Sequence, residues 1–183
     1  MKIQYNSPVI LTFSLAVIVL HLVNTYVLPG ITYTFFMAKP TIHVQNPWDY
    51  FRLFSHVFGH SGWTHILGNL TLILLLGPIL EEKYGSGNLL LMIVITSLVT
   101  GIIHVVISVK SGLLGASGIV FMLIVLASIV DIKRGSIPLT FVLVAGIFIG
   151  GEVFNTLNKD NISQMAHILG GISGAFFGFF FAK

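Results

Sequence analysis

Long apolar segments separated by short polar breaks run through the whole chain. Cutting the sequence at charged residues, prolines and glycine clusters predicts the ends of helices, and a bilayer-spanning helix needs roughly 17–25 mostly apolar residues. Six segments come close to this length, and the fourth is short for a full crossing. The predicted spans cover residues 9–28, 64–80, 89–109, 116–130, 137–153 and 163–182.

An even number of spans places both ends of the chain on one side of the membrane. Lysine and arginine are slightly more numerous in the short segments on that side, and positively charged loops favour the cytoplasm. We therefore expect a multi-pass protein of the inner or plasma membrane with cytoplasmic termini. Residues 31–63 form a long loop on the opposite side, and residues 1–183 form a single membrane domain.

The composition fits this pattern and excludes other classes of protein. Of the 183 residues, 55% are hydrophobic and 8% charged, whereas soluble domains carry about 25% charged residues. The predicted fold class is therefore an all-α membrane protein. The net charge of +3 is scattered, so no nucleic-acid partner is expected. Because the chain has no cysteine, disulfides and thiolate metal sites are excluded.

Four polar residues stand at matching positions in alternate spans. His65 and Asn69 lie near the start of the second span, Ser117 near the start of the fourth and His167 near the start of the sixth. These three spans all begin on the face opposite the termini. At about 1.5 Å of rise per residue, the four side chains share one depth, just below one membrane surface.

Ser117 is the candidate nucleophile. It stands in the sequence Gly115-Ala116-Ser117-Gly118, whose glycines permit a tight entry to the helix and close approach of a substrate chain. The start of a helix also offers backbone N–H groups and the positive end of the helix dipole, which suit a developing oxyanion. Taken alone, such a serine is more often a helix cap or a small packing residue.

A serine nucleophile needs a base within hydrogen-bond reach, and His167 is the plausible one. It is followed by Gly170, Gly174 and Gly178, and small residues at this spacing let transmembrane helices pack closely. An ionisable side chain inside a span indicates function by default. The alternative is a histidine whose ring is satisfied by a backbone carbonyl.

His65 and Asn69 are four residues apart and share one helix face. Both side chains donate hydrogen bonds, so with the Ser117 N–H they are suited to an oxyanion hole. Polar contacts between helices are one alternative, and a metal site formed by His56, His60 and His65 is another. No Asp, Glu or Cys stands at ligand spacing in this region, and His56 and His60 are better explained as loop anchors.

No carboxylate is placed as the third member of a triad, so a Ser117–His167 dyad is the preferred mechanism. The acidic residues near the spans lie at the far ends of the second and fourth or before the sixth; they are Glu81, Glu82, Asp131, Glu152 and Asp160. His21 and His104, isolated in the first and third spans, are interpreted as structural.

Together these residues resemble the rhomboid family of intramembrane serine proteases, from about Arg52 to Gly178. The family's G-x-S-G, A-H-x-x-G and H-x-x-x-N patterns correspond to residues 115–118, 166–170 and 65–69. The loop histidines His56 and His60 precede them, and Gly77-Pro78-Ile79-Leu80-Glu81 resembles the end of the family's second helix. Each pattern alone is weak, but all occur in the right order on the right spans.

The resemblance implies a six-helix rhomboid bundle with a water-filled cavity open to the outer face. It implies that Ser117 is the nucleophile and His167 the general base and acid, and that His65, Asn69 and the Ser117 N–H hold the oxyanion. The glycines at 115, 118, 170 and 174 support the site.

Three further roles follow from the same resemblance. Arg52 would anchor the long loop, and Glu81 would tie down the far end of the second span. Phe121 stands where the family often has a tyrosine packed on the catalytic histidine, so a ring face is kept and a hydroxyl is lost.

The expected function is an intramembrane serine endopeptidase that works in the lipid bilayer without a cofactor. It would cleave single-span membrane proteins near the outer end of their helix, which must first unwind because helical peptide groups are bonded internally. One alternative is a non-proteolytic rhomboid-like protein that binds membrane clients, although such relatives usually lack the serine or the histidine. The other is a small transporter with a histidine proton path, although no inverted repeat is apparent.

Overall fold

The described part of the chain is built from seven α-helices and two short helical turns. The structure is a computed structural model that describes residues 2–107, 111–130, 137–156 and 161–181, with the backbone alone at 148–156 and 161–163. Within these residues, the one strand-like pairing is a bridge between Ala38 and Leu113. The predicted all-α fold is confirmed. The helices are α1 (Pro8–Tyr26), α2 (Pro47–Ser55), α3 (Trp63–Tyr84), α4 (Ser86–Ile107), α5 (Ser117–Ser128), α6 (Leu139–Thr156) and α7 (Asn161–Phe180).

Each predicted apolar segment contains one helix, and the helices differ in their capacity to span a membrane. Among the described residues, α1, α3 and α4 are long and apolar enough to cross a bilayer, whereas α5 and the Gln164–Phe180 part of α7 are shorter apolar helices. The count of six spans stays a prediction. The predicted ends at 109 and 182 lie outside the described residues, as do some of the charges behind the predicted orientation: Lys110, Lys133, Arg134, Lys159 and Lys183.

The helix of the second predicted span, α3, continues further than predicted. α3 passes Leu80, where the predicted span stops, and runs through the charged residues to Tyr84. Charged residues lower the hydropathy of a segment without breaking a helix. The helix stops instead at Gly85, whose φ of +81° lies in a region that glycine adopts at little cost.

Glu81, near the end of α3, holds the starts of two other helices. Its side chain is buried, and its carboxylate accepts hydrogen bonds from the Val9 and Ile10 N–H groups at 3.0 Å each. It also accepts the Ser86 hydroxyl at 2.7 Å. A carboxylate at a helix start satisfies N–H groups that have no partner within the helix and complements the helix dipole. Glu81 therefore joins α1, α3 and α4 at one end of the bundle.

The central helix of the bundle is α5. Its 12 residues are apolar apart from the serines at its two ends, and Met122, Leu123 and Leu126 are completely buried. The helix packs on α3, α4 and α6, and most extensively on α7. Because other helices cover α5, its first residue, Ser117, is held in place by the packing of the whole bundle.

The long loop between α1 and α3 is held by a buried ion pair. The loop contains a π-helical turn at Thr32–Phe36, then α2 and a 3₁₀ turn at His56–Phe58. Arg52 on α2 is buried, and it donates hydrogen bonds to the Asp49 carboxylate and the Thr34 carbonyl oxygen. Asp49 also accepts the backbone N–H and the ring Nδ1–H of His43, each at 3.0 Å. Although burial opposes the charged carboxylate, the donors from His43 and Arg52 hold the pKa of Asp49 below its ordinary value.

Candidate active site

α5 and α7 approach each other closely along a row of glycines. A Cβ atom at Gly170 would collide with the Gly118 carbonyl oxygen, and one at Gly174 would collide with the Met122 carbonyl oxygen. At Gly118, a Cβ atom would lie 3.2 Å from the Ala166 carbonyl oxygen. Helix backbones meet this closely only where small residues leave room. The contact therefore brings the chain neighbours of Ser117 and His167 together.

The side chains of Ser117 and His167 project from these two helices. Ser117 is the first residue of α5, and His167 lies within the first two turns of α7. Both residues are half-buried. The ring of Phe121, one turn after Ser117, lies 4.3 Å from the His167 ring, with an angle of 33° between the ring planes. Phe121 thus covers one face of the imidazole.

Gly115 turns the chain towards α5 and leaves room for two side chains from α3. Its φ is +116°, a conformation that residues with a Cβ rarely adopt. A Cβ atom here would lie 2.7 Å from Nε2 of His65 and 3.7 Å from Nδ2 of Asn69. The polar ends of both side chains therefore reach the backbone two residues before Ser117.

His65 and Asn69 each also lie close to a polar side chain from the loop that precedes α3. Nδ1 of His65 lies 3.3 Å from the Ser61 hydroxyl oxygen. Asn69 is buried, and its Nδ2 lies 2.9 Å from Nε2 of His60. The rings of His60 and His65 are 4.9 Å apart and steeply inclined.

His56 connects the long loop to α4 and to the segment that precedes Ser117. Its Nδ1 lies 3.1 Å from the Leu53 carbonyl oxygen, and its Nε2 lies 3.3 Å from the Thr100 hydroxyl oxygen. Its own carbonyl oxygen accepts the Gly115 N–H at 3.0 Å. Burial lowers the pKa of the His56 imidazole to about 4, so the ring is neutral at pH 7.

His60 makes the second connection between the loop and the site. Its Nδ1 lies 3.3 Å from the Phe58 carbonyl oxygen, and the Ala116 N–H donates to its Nε2 at 3.4 Å. Burial, followed by the neighbouring His65 ring, lowers the pKa of His60 to about 4. His56 and His60 are thus both in contact with the segment that leads into α5.

A comparison with known proteins identifies the family of this chain. The sequence model of the Rhomboid domain matches residues 47–183, which is most of the chain and includes α2 to α7. The chain belongs to the rhomboid family. The resemblance inferred from its short sequence patterns is therefore confirmed.

The chain matches individual rhomboid relatives over different shares of their length. The chain is 29% identical over 154 residues to the rhomboid protease GlpG of Haemophilus influenzae, covering 81% of this chain and 78% of that protein. It is 31% identical over 141 residues to rhomboid-related protein 1 of Caenorhabditis elegans, covering 70% of this chain but 39% of the relative. A GlpG of Salmonella newport is 38% identical over 56 residues, 31% of this chain and 20% of that protein. Membership of the rhomboid family and the likeness to GlpG support an intramembrane serine protease.

Three contacts around this rhomboid site were not predicted. Asp49 stands three residues before Arg52 in a helix, and opposite charges at this spacing are a usable signal for an ion pair. Thr100 lies within α4, and no local pattern distinguishes it from other buried hydroxyls. The backbones of Ala38 and Leu113 exchange hydrogen bonds of 2.9 and 3.1 Å. This pairing ties the long loop to the segment that precedes Ser117.

The acidic residues that could be a third member of a rhomboid triad lie either away from His167 or outside the described residues. Asp131, Asp160 and the side chain of Glu152 lie outside the described residues. Glu81 is engaged with α1 and α4, near the end of α3 that is far from His65. The Ser117–His167 dyad stays a prediction.

Proposed function

We propose that the protein is an intramembrane serine endopeptidase in which Ser117 and His167 act as a catalytic dyad. Membership of the rhomboid family supports the reaction class. The observation that supports these two residues is the glycine-lined contact of α5 with α7, where Gly118 lies against Ala166 and Phe121 covers the His167 ring. A nucleophile and its base on separate helices need backbones that approach as closely as these.

The reaction proceeds through an acyl-enzyme. Ser117 Oγ attacks the scissile carbonyl carbon while His167 accepts the hydroxyl proton. His167 then gives this proton to the leaving amine as the C–N bond breaks, which leaves the substrate's acyl group on Ser117. A water molecule attacks the ester, His167 takes its proton and returns it to Ser117 Oγ, and the new carboxylate is released.

The oxyanion is held by the Ser117 N–H, His65 Nε2–H and Asn69 Nδ2–H. The 3.3 Å separation of the Ser61 hydroxyl oxygen from His65 Nδ1 suits a hydroxyl that donates to Nδ1, and this leaves the proton on Nε2. Nε2 of His65 and Nδ2 of Asn69 both approach Gly115, beside the start of α5. Donors fixed in advance stabilise the charge that develops in the transition state.

The substrate is a single-span membrane protein that is cut near the outer surface. The site residues lie within the first two turns of α3, α5 and α7, a depth that water reaches more easily than the bilayer centre. Because helical peptide bonds are internally hydrogen-bonded, we expect small residues at the cut and a nearby glycine or proline that weakens the substrate helix.

Cleavage of a model transmembrane substrate in proteoliposomes tests the proposal. Ser117→Ala and His167→Ala are expected to lower kcat by about 10³-fold or more. Ser128→Ala, at the opposite end of the same helix, is the matched control and should cleave like the wild type. A fluorophosphonate probe should label the wild type and Ser128→Ala but not Ser117→Ala. Equal cleavage by all four proteins would rule out the dyad, and client binding without any cleavage would favour the non-proteolytic alternative.

A further inference from the structure

His60 has neighbours that determine which of its ring nitrogens carries the proton. Nδ1 lies 3.3 Å from the Phe58 carbonyl oxygen, and Nε2 lies 3.4 Å from the Ala116 backbone nitrogen. A carbonyl oxygen only accepts a hydrogen bond and a backbone N–H only donates one. The proton of the neutral ring is therefore on Nδ1, and Nε2 presents its lone pair.

This tautomer in turn determines the orientation of the Asn69 amide. The Asn69 atom that faces Nε2 of His60, at 2.9 Å, must be a donor, so it is the amide nitrogen and not the oxygen. The same nitrogen lies 3.7 Å from the position of a Cβ atom on Gly115. One N–H of Asn69 is used by His60, and the second N–H remains for a group next to the start of α5.

We infer that His60 is a positioning residue, which holds the Asn69 amide with its nitrogen towards the nucleophile so that the second N–H serves the oxyanion. The inference rests on the proposed protease function. Without an acceptor at His60, the amide can rotate by half a turn and present Oδ1, which would repel the oxyanion. Two backbone groups, Phe58 C=O and Ala116 N–H, thereby specify the orientation of a side chain from another helix.

If His60 positions Asn69, its loss should lower kcat with little change in KM, because the oxyanion forms only in the transition state. Removing one oxyanion donor costs about 10²–10³-fold in kcat in other serine proteases, and this sets the upper bound for His60→Leu. In His60→Gln, the side-chain oxygen can accept the same two N–H groups. This variant should therefore recover most of the kcat that His60→Leu loses.

A double-mutant cycle separates positioning from a general effect on the fold. If His60 acts through Asn69, the His60→Leu/Asn69→Ala double variant should cleave no more slowly than Asn69→Ala alone. The matched control is His56→Leu, which also removes a buried loop histidine but whose ring makes no hydrogen bond to Asn69 among the described residues, so its kcat loss should multiply with that of Asn69→Ala. All rates are expressed per active site, counted by fluorophosphonate labelling. Losses that multiply for His60 and Asn69, or a His60→Gln variant as slow as His60→Leu, would overturn the inference.

A measurement on the unmutated ring covers the case in which His60→Leu fails to fold. In protein labelled with ¹⁵N-histidine, the signal absent from His60→Gln is assigned to His60. We expect the pattern of a neutral ring protonated on Nδ1 at pH 7, and a ring protonated on Nε2 or on both nitrogens would overturn the inference. Ser117→Ala is measured in parallel as a control. Cleavage by this variant would reject the protease proposal itself. If Ser117→Ala is inactive and the His60 tests fail, only the positioning role of His60 is rejected.

Discussion

The carbonyl oxygen of Gly118 on α5 occupies the space where a side chain on Gly170 of α7 would begin. This contact joins the helix that carries Ser117 to the helix that carries His167. Gly170→Ala would force the two backbones apart, and overpacking of this kind typically costs about 1–3 kcal/mol. We expect a lower midpoint of thermal unfolding in detergent and a marked loss of cleavage in proteoliposomes, because the separation of the proposed nucleophile and base changes.

Gly146→Ala is the control for this prediction. Gly146 lies in α6, and a Cβ atom there would meet nothing within 4 Å. This variant should retain wild-type cleavage and stability, since it adds a methyl group in open space. Similar losses in both variants would show that any added methyl group harms the bundle, and the specific contact would lose its support.

If His167 is the general base, we expect Phe121 to contribute to catalysis by orienting its ring. Aromatic ring pairs are worth about 0.5–1.5 kcal/mol beyond the area that they bury, which corresponds to roughly 2- to 12-fold in rate. Phe121→Leu should lower kcat within this range, whereas Phe121→Tyr keeps the ring and should stay close to the wild type. Phe176→Leu, an exposed position on α7, is the control. If Phe121→Leu cleaves at the wild-type rate, the ring contact has no catalytic role.

Much of the helical architecture could be predicted from hydrophobicity alone. The apolar segments coincide with helices because a bilayer-spanning backbone must satisfy its own hydrogen bonds. The end of α3 could not be predicted in this way. Its charge makes Glu81 look like the edge of a span in a hydropathy pattern. In the structure, however, Glu81 is buried inside the bundle, where it caps α1. That role depends on the start of a helix more than seventy residues earlier in the chain.

The sequence suggests which residues form the candidate site, but it does not indicate the contacts between them. Spacing along alternate helices indicated that Ser117, His167, His65 and Asn69 share a depth, because helix geometry converts position into height. Spacing carries no information on hydrogen-bond partners across helices. The contact between His60 and Asn69 and the one between His56 and Thr100 both join separate elements. Only tertiary packing brings these atoms together.

Asp49 stabilises the long loop through its buried pair with Arg52. Asp49→Asn removes the negative charge and leaves the Arg52 guanidinium buried without its counter-ion, a change that typically costs about 3–5 kcal/mol. We expect a lower unfolding midpoint and faster proteolytic cutting between residues 37 and 46. The double variant Asp49→Leu/Arg52→Met removes both charges and should recover part of the stability. A double variant less stable than Asp49→Asn would contradict this account.

Glu81→Gln tests the connection between α1, α3 and α4. The amide replaces one carboxylate oxygen by an N–H₂ group, which cannot accept the backbone N–H that the oxygen accepted, and it removes a charge that complements the start of α1. The expected loss is about 1–3 kcal/mol in the free energy of unfolding. Glu82→Gln is the matched control, because the neighbouring side chain is exposed and surface changes usually stay within about 0.5 kcal/mol. Equal losses of stability in Glu81→Gln and Glu82→Gln would contradict a specific structural role for Glu81.

The buried histidines of the long loop make the free energy of unfolding depend on pH in mildly acidic solution. The folded-state pKa values of His56 and His60 are about 4, below the ordinary value of 6.5, mainly because burial disfavours the charged ring. Between these pH values the unfolded chain binds more protons than the folded one, so stability rises with pH. Their contribution is complete above pH 6.5 and is lost as the pH falls towards 4.

His60→Gln removes one of these two titrating groups and keeps an acceptor for Asn69. The slope of the unfolding free energy against pH between 4.5 and 6.5 should fall by up to about 1.4 kcal/mol per pH unit. Equilibrium unfolding in mixed detergent micelles, repeated across this range for wild type and variant, measures the slope directly. Because the variant retains a neutral side chain at every pH, its stability relative to that of the wild type should rise as the pH falls from 6.5 towards 4. Parallel pH profiles for the two proteins would mean that the His60 ring is not kept neutral by the fold.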